Sequence, residues 1–233
     1  MMNGLNRIQA IPPEAGLARS AYEEIRRSIR SGDLQGGSLT SVRALSEALG
    51  MSRTPVREAF VELANDRLVA FERNRGVRIC ETGRHDIEEI FEMRLLLEVP
   101  AARAAARRMS AADLRELESA LSGMKDQLSD ETEFMRFDWT FHRKLLEVTG
   151  NERIVAAVEG LRDQIRTRGI STVGRSRHLD AIVAEHEAIF DAVGQGDDQL
   201  AADAMEAHLS TTRALLLAQE DPSASKTDSK GKS

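Results

Sequence analysis

Residues 50–80 read GMSRTPVREAFVELANDRLVAFERNRGVRIC, and this stretch decides the architecture of the N-terminal part of the chain. Ser52 is a residue type that caps helices, and Pro55 stands in the first turn, where proline is tolerated. Apolar residues with helical spacing continue to about residue 66. Two short β-type runs, 68–71 and 77–80, then flank the turn ERNRG. The stretch therefore predicts a helix followed by a β-hairpin.

Two further helices are predicted before this stretch. One runs from about residue 17 to residue 32, with apolar residues on a single face. The other is VRALSEAL, which Ser41 caps and Gly50 ends. Three helices and a hairpin in about 70 residues are typical of a winged helix-turn-helix. We therefore predict a DNA-binding domain over residues 14–80.

The remainder of the chain has the pattern of an all-helical bundle. A linker is expected over 81–85, a helical domain over 86–219 and a disordered tail over 220–233. Pro100 is expected to kink or interrupt the first helix of this domain. The six predicted helices span about 86–108, 111–129, 132–149, 151–173, 176–194 and 197–219. The predicted fold class is therefore mostly α, with one small wing.

The composition restricts the function classes. The single cysteine excludes a disulfide framework and argues against a cysteine-based zinc site. No apolar run approaches the roughly 20 residues that span a bilayer, and no signal-peptide core is present, so we expect a cytoplasmic protein without a membrane partner. Residues 1–84 hold 13 arginines and 10 acidic residues, whereas residues 85–233 have a net charge of −9. A basic front and an acidic back fit a nucleic-acid module joined to a second domain.

The candidate DNA-reading residues lie at the start of the third helix and on the wing. Arg53 and Arg57 are four residues apart and share a face, from which arginine can hydrogen-bond guanine through two donors. Ser52 and Thr54 can reach phosphates or bases beside them. The arginines Arg73 and Arg75 flank the predicted wing tip, where Gly76 lets the backbone approach DNA closely.

This part of the sequence resembles a known family. The stretch GMSRTPVREAF, followed by VELANDRLV and RNRGVRI, is similar to the GntR family of winged-helix repressors over about residues 17–80. The resemblance implies that Arg43, Arg53, Arg57 and Gly76 contact DNA, with Ser52 and Thr54 beside them. Two residues depart from the family pattern: Ser41 stands where Glu is frequent, and Arg67 replaces a usual glycine before the wing.

Four metal-ligand residue types fall on predicted inner helix faces. Asp138 and His142 are four residues apart within an apolar stripe, so both side chains point the same way. His186 and His208 lie on the apolar stripes of the last two helices. A buried carboxylate and three imidazoles are costly unless they are paired or coordinated. The sequence therefore predicts a divalent-metal site, for which zinc is the first expectation and nickel or manganese the alternatives.

The same region resembles the helical FCD domain of the FadR subgroup. The matching stretches are DWTFH at 138–142, EHEAIFDAV at 185–193 and GDDQLAADAMEAHL at 196–209. The resemblance covers about residues 86–218 and implies that the metal ligands are Asp138, His142, His186 and His208. It also implies a small carboxylate effector at or beside the metal.

Arg94 is the candidate anchor for that carboxylate, because arginine binds carboxylates through two hydrogen bonds. The alternative is an ion pair with Glu98, one helical turn on. The leading functional prediction is a homodimeric repressor that binds operator DNA and responds to an effector. Two alternatives stay open: a DNA-binding protein whose helical domain only dimerises around a structural metal, and a metal-dependent enzyme.

Overall fold

A computed structural model describes residues 15–81, 83–166 and 176–219. The chain divides into two compact units, one formed by residues 1–82 and 163–169 and the other by residues 83–162 and 170–233. Residues 1–14, the predicted disordered tail and the end of the predicted 151–173 helix lie outside the described residues.

The first unit is a winged helix-turn-helix, as predicted. Its helices are α1 (Ala15–Arg30), α2 (Val42–Leu49) and α3 (Arg53–Asn65), and its strands are β1 (Leu39–Thr40), β2 (Val69–Glu72) and β3 (Gly76–Ile79). The strands form an antiparallel sheet in the order β1-β3-β2. The hairpin β2–β3 was predicted, whereas β1 was not, because a two-residue strand carries no measurable periodicity.

The core of the first unit lies between α1, α3 and the sheet. The predicted inner face of α3 is fully buried, as are Ile25 and Ile29 of α1. Leu17, which was expected on the same face of α1, is 44% exposed. The residues of α3 that fill this core are Val56, Ala59, Phe60 and Leu63.

The ends of α2 and the start of α3 lie where the sequence predicts them, but the two caps differ in their hydrogen bonds. The Ser41 side chain accepts a hydrogen bond from the Ala44 amide, and Gly50 ends α2 in the left-handed conformation with φ of 63°. Ser52 occupies the N-cap position of α3 but makes no side-chain capping bond. Ser52 is therefore at the predicted N-cap position as an exposed residue, but it does not cap the helix through its side chain.

The six helices predicted after the first domain are present, and all of them except the end of the fourth, from residue 163, belong to the second unit. They are α4 (Arg84–Arg108), α5 (Ala111–Asp126), α6 (Glu131–Glu147), α7 (Glu152–Arg166), α8 (Leu179–Gln195) and α9 (Asp198–Gln219). Helix α4 packs against α6, α8 and α9, while α5 packs against α6 and α8. This arrangement brings the inner faces of α4, α6, α8 and α9 together. Within the described ranges, no helix is both long and apolar enough to cross a bilayer.

Helix α4 differs from its prediction at two places. It begins at Arg84, inside the predicted linker 81–85, where the Asp86 carboxylate accepts a 2.6 Å hydrogen bond from the Gly83 amide. It also continues past Pro100, so the helix is not interrupted there. Pro100 is exposed, and its missing amide removes one hydrogen bond from the helix.

Candidate functional site

The start of α3 presents an exposed polar surface. Ser52, Arg53, Thr54 and Arg57 are all exposed, while Val56 between them points into the core. Among the described residues, the guanidinium groups of Arg53 and Arg57 have no hydrogen-bond or ion-pair partner. Their donors are therefore available to an external acceptor, and the two side chains are one helical turn apart on the same face.

Two other arginines that were predicted to contact DNA form ion pairs with glutamates of the same unit. Arg43 of α2 is exposed and donates to Glu47 over 2.8 Å. Arg75 lies 3.2 Å from Glu72, a carboxylate that also pairs with Arg78 of the neighbouring strand. Exposed ion pairs of this kind contribute little to stability, so Arg43 and Arg75 can exchange these partners for phosphates at small cost.

Gly76 begins β3 at a position that requires glycine. Its φ is 122°, and a Cβ atom there would overlap the carbonyl oxygen of Thr40. Strand β1 therefore approaches the base of the wing as closely as glycine allows. Before the wing, Arg67 has a φ of 59°, a left-handed conformation in which the family pattern has glycine.

The second unit brings three histidines of α6, α8 and α9 together. His142, His186 and His208 are buried, and their potential ligand nitrogens lie within 4.8 Å of one another. The Nε2 atoms of His142 and His186 are 3.3 Å apart. Phe141 packs edge-on against the His186 ring with centroids 4.9 Å apart, which fixes that ring from one side.

Each of the three Nδ1 atoms contacts a different acceptor. His142 Nδ1 donates to Glu98 over 2.7 Å, and His208 Nδ1 donates to Glu185 over 2.7 Å. His186 Nδ1 donates to the Ile182 carbonyl over 2.8 Å. In a neutral ring, a proton on Nδ1 leaves the lone pair on Nε2. The Nε2 lone pairs are therefore the ones left to face the centre of the cluster.

Asp138 completes the predicted set. Its Oδ1 atom is 3.2 Å from His186 Nε2, and its other oxygen pairs with Arg162 of α7. Burial alone would raise the pKa of Asp138, but the charge of Arg162 holds the pKa well below its usual value. The carboxylate is ionised, which is the form that ligates a metal.

Burial keeps two of the imidazoles neutral. It lowers the pKa of His142 to about 4, although the Glu98 carboxylate acts in the opposite direction. Burial and the neighbouring imidazoles also hold the pKa of His208 well below its usual value. Neutral imidazole is the metal-binding form of histidine. Three inward nitrogens and one ionised carboxylate are a donor set that fits zinc and other first-row divalent ions.

Arg94 lies beside this centre and has the partner that the sequence offered as its alternative role. Its Nε donates to Glu98 over 2.6 Å, and its guanidinium stacks on Phe91 with 5.0 Å to the ring centroid. Arg94 is only 4% exposed. Among the described residues its terminal amino groups make no further hydrogen bond, so the pair with Glu98 does not use all of its donors.

Two family models match the chain. Residues 17–79 match the model described as bacterial regulatory proteins, gntR family, and residues 89–211 match the FCD domain. The chain belongs to the gntR family of FCD-containing bacterial regulators. It is a DNA-binding transcription regulator, not the metal-dependent enzyme that the sequence left open.

Relatives of this gntR-family regulator extend over both units. The HTH-type transcriptional regulator LutR of Bacillus subtilis is 29% identical over 209 residues, covering 81% of this chain and 95% of that protein. The HTH-type transcriptional repressor NanR of Klebsiella aerogenes is 27% identical over 219 residues, covering 85% and 84%. The solved structure of Escherichia coli McbR/YncC has a TM-score of 0.78 at 20% identity and covers 88% of this chain and 99% of that one. It shares the fold.

Sequence reasoning missed several polar partners of the gntR regulator's histidine cluster. Glu98 was considered only as a partner of Arg94, although it also contacts His142. Glu185, next to His186 in sequence, contacts His208 of another helix. Neither contact has a local signal, because each joins two helices. The remaining histidines, His85 and His178, are exposed and lie outside the cluster.

Proposed function

We propose that this gntR-family regulator is a homodimeric repressor whose affinity for operator DNA changes when a small carboxylate binds at a divalent metal in the helical unit. The proposal adds a metal, an effector and an oligomeric state to the family assignment. The convergence of one ring nitrogen from each of three buried histidines, beside Asp138, is the observation that carries it.

The spacing of two nitrogens of the cluster agrees with the geometry of ligands bound to one zinc ion. Nitrogens bound 2.0–2.1 Å from a tetrahedral zinc ion lie about 3.3 Å from each other. His142 Nε2 and His186 Nε2 are 3.3 Å apart. Because the Nδ1 atoms have other acceptors, these Nε2 atoms would otherwise place two lone pairs against each other. Asp138, His142, His186 and His208 would hold the ion, which would supply a Lewis-acidic anchor.

The charge of the site favours an anionic effector. One carboxylate and three neutral imidazoles leave a charge of about +1 when a divalent ion binds. Arg94 adds a second cationic group whose terminal amino groups are not used within the described residues. Arginine keeps a fixed geometry in which one edge can hold Glu98 while the other meets a carboxylate. A small organic acid satisfies both groups at once.

Two arguments support a dimeric repressor, one from a relative and one from the geometry of operator recognition. A relative that covers most of the chain is named a transcriptional repressor, NanR. A two-fold dimer places two recognition helices on two half-sites and so reads a palindrome. An effector that binds the DNA-binding and the non-binding states of such a dimer with different affinities shifts the equilibrium between the two states. It thereby changes the affinity for the operator.

The metal is tested by elemental analysis of untagged protein purified without chelators, and of metal-free protein after zinc, nickel or manganese is supplied. We expect one divalent ion per chain in the wild type. His142→Ala and His208→Ala should lose it, whereas His85→Ala, an exposed histidine of α4, should retain it. Wild-type protein that neither carries nor takes up any of the three ions contradicts the proposal.

The effector is tested by measuring operator affinity of the metal-loaded protein with acetate, succinate and citrate. The operator is first recovered by selection from random duplexes. A carboxylate that changes the affinity in the wild type, and not in metal-free protein, supports sensing at the metal. If the metal is stoichiometric and no organic acid binds or alters operator affinity, the metal is structural and the helical unit serves dimerisation alone.

The oligomeric state is tested by light scattering of the full chain at micromolar concentration, with and without operator. We expect twice the mass of a 25.7 kDa chain for the free protein, and that mass plus one duplex for the complex with operator. A particle of one chain's mass when free and one chain per operator when bound contradicts the dimer.

A further inference from the structure

Two carboxylates accept hydrogen bonds from rings of the histidine cluster. Glu98 of α4 accepts from His142 Nδ1 over 2.7 Å, and Glu185 of α8 accepts from His208 Nδ1 over 2.7 Å. Both contacts cross between helices, so each carboxylate fixes a ring that belongs to a different helix. The third ring, His186, instead donates to a backbone carbonyl of its own helix.

Each carboxylate is in turn held by an arginine. Arg94 Nε donates to Glu98 Oε1 over 2.6 Å, while His142 uses the other oxygen, Oε2. Arg177, just before α8, pairs with Glu185 Oε2, the same oxygen that His208 contacts. Two series of contacts, each in the order Arg–Glu–His, therefore connect buried guanidinium groups to the histidine cluster.

The series Arg177–Glu185–His208 makes a further contact with α9. Arg177 Nη1 donates to the Thr212 hydroxyl over 3.0 Å, and that hydroxyl donates to the His208 carbonyl over 3.0 Å. Arg177 thus contacts both the carboxylate that orients the His208 ring and a hydroxyl bonded to the His208 backbone. The position of His208 is fixed from its ring and from its main chain.

We infer that Glu98 and Glu185 are positioning residues, which set the Nδ1–H tautomer of His142 and His208 and thereby the affinity of the cluster for a divalent metal. The inference rests on the metal centre proposed above. A carboxylate that accepts from Nδ1–H keeps the lone pair on Nε2 and makes the imidazole a stronger ligand. Removal of such a partner typically weakens metal binding about 10–100-fold.

The two carboxylates differ in how safely each can be altered. Glu98 is 1% exposed, and its neutralisation leaves the buried Arg94 charge without a partner, which costs stability. Neutralisation of Glu185 also leaves a buried guanidinium, that of Arg177, without its carboxylate, but the Glu185 side chain is 26% exposed, so water can solvate part of this pair. Glu185→Gln keeps the size and one acceptor oxygen, removes the charge and replaces the other oxygen with an amide donor. It is therefore the principal variant, and Glu98→Gln is the second.

The test uses full-length metal-free protein titrated with zinc in competition with a chromophoric chelator. We expect Glu185→Gln and Glu98→Gln to bind one zinc about 10–100-fold more weakly than the wild type. Glu187→Gln is the matched control, because Glu187 lies two residues further along α8 and pairs with Lys125 on the surface over 2.7 Å. It should bind zinc as the wild type does.

A second readout separates positioning from a purely structural role. Nitrogen-15 spectra of the imidazoles in metal-free protein should show one Nδ1-protonated tautomer for His208 in the wild type and in Glu187→Gln. In Glu185→Gln the same ring should show a mixture of tautomers. Two carboxylate variants that bind zinc within twofold of the wild type, or an unchanged His208 tautomer in Glu185→Gln, overturn the inference. Wild-type protein that binds no zinc overturns the metal centre itself.

Discussion

His186 Nε2 lies 3.3 Å from His142 Nε2, although the Nδ1 atom of each ring already contacts an oxygen acceptor. Two nitrogen lone pairs at that distance repel each other unless a cation lies between them. Burial prevents water from screening the repulsion. With both rings protonated on Nδ1, the proposed metal ion would remove the repulsion between these two lone pairs.

Zinc should consequently stabilise the protein. At a free zinc concentration 100 times the dissociation constant, binding to the folded state alone adds about 2.7 kcal/mol to the free energy of unfolding. For a chain of this length that corresponds to a rise in Tm of roughly 5–10 °C. The measurement is thermal denaturation with and without zinc, followed by a chelator that should reverse the shift. An equal rise in His208→Ala would place the stabilising zinc elsewhere.

The exposed arginines of α3 should carry operator discrimination. Arg53→Ala and Arg57→Ala remove donors that have no partner among the described residues, so neither change should lower the free energy of unfolding appreciably. Each lost base contact costs about 1–3 kcal/mol of discrimination. Fluorescence anisotropy with operator and random duplexes measures the difference, and the double variant should bind both alike.

The control for the arginine variants is Arg115→Ala, an exposed arginine of α5 that loses the same charge. Operator affinity and discrimination should stay unchanged in this variant. Binding of the wild type should also fall steeply with salt, because phosphate contacts release counterions. A double variant of Arg53 and Arg57 that still separates operator from random DNA would refute the assignment of the reading surface.

Periodicity was sufficient to place the inner faces, and it placed Asp138 and His142 correctly among buried positions. An apolar stripe reports the direction of each side chain relative to its own helix. It does not report which residue of another helix lies opposite. The contacts of Glu98 with His142 and of Glu185 with His208 depend on the packing of α4 on α6 and of α8 on α9, so the sequence could not predict them.

Local signals had a similar limit in the first unit. The pattern predicted three helices and a hairpin, since helical spacing and the turn ERNRG extend over many residues. Strand β1 is two residues long and exists because it pairs with β3, which is a tertiary contact. Ser52 has the residue type of a cap, but its hydroxyl makes no capping bond to α3. Residue type favours a cap without fixing the rotamer that forms one.

Replacing Arg67 with glycine should stabilise the protein. Arg67 has a φ of 59°, a conformation that costs a non-glycine residue roughly 1–2 kcal/mol. Glycine relieves that strain but loses about 0.5–1 kcal/mol through its greater freedom in the unfolded chain. We expect Arg67→Gly to be about 0.5–1 kcal/mol more stable in urea denaturation. Arg73→Gly, at an exposed position without positive φ, should be no more stable than the wild type.

Gly76→Ala should have the opposite effect. Alanine at this position must adopt a φ of 122° and also displace the Thr40 carbonyl, which belongs to β1. The strained backbone alone costs of order 1–3 kcal/mol. Gly32→Ala is the control, since Gly32 has a φ of 82° with no atom within 4 Å of the added Cβ. A larger loss of stability and of operator affinity in Gly76→Ala than in Gly32→Ala would isolate the effect of the contact with β1.

The single tyrosine, Tyr22 of α1, should ionise at unusually high pH. Burial raises its pKa, and the hydrogen bond that its hydroxyl donates to Asp66 over 2.7 Å raises the pKa further. The pKa of Tyr22 is higher in the folded state than in the unfolded chain. The contribution of the neutral tyrosine to the free energy of unfolding is therefore complete below about pH 10 and is lost as pH rises through the folded-state pKa. The near-ultraviolet absorbance of tyrosinate reports Tyr22 alone, since the chain has one tyrosine.

The same titration in urea supplies the reference, where the midpoint should fall near pH 10. Asp66→Asn should lower the native midpoint only part of the way toward that value, because burial is the larger cause of the shift. A native midpoint equal to the one in urea would show that Tyr22 is hydrated. The packing of α1 against α3, in which the Tyr22 ring is 5% exposed, would then be incorrect.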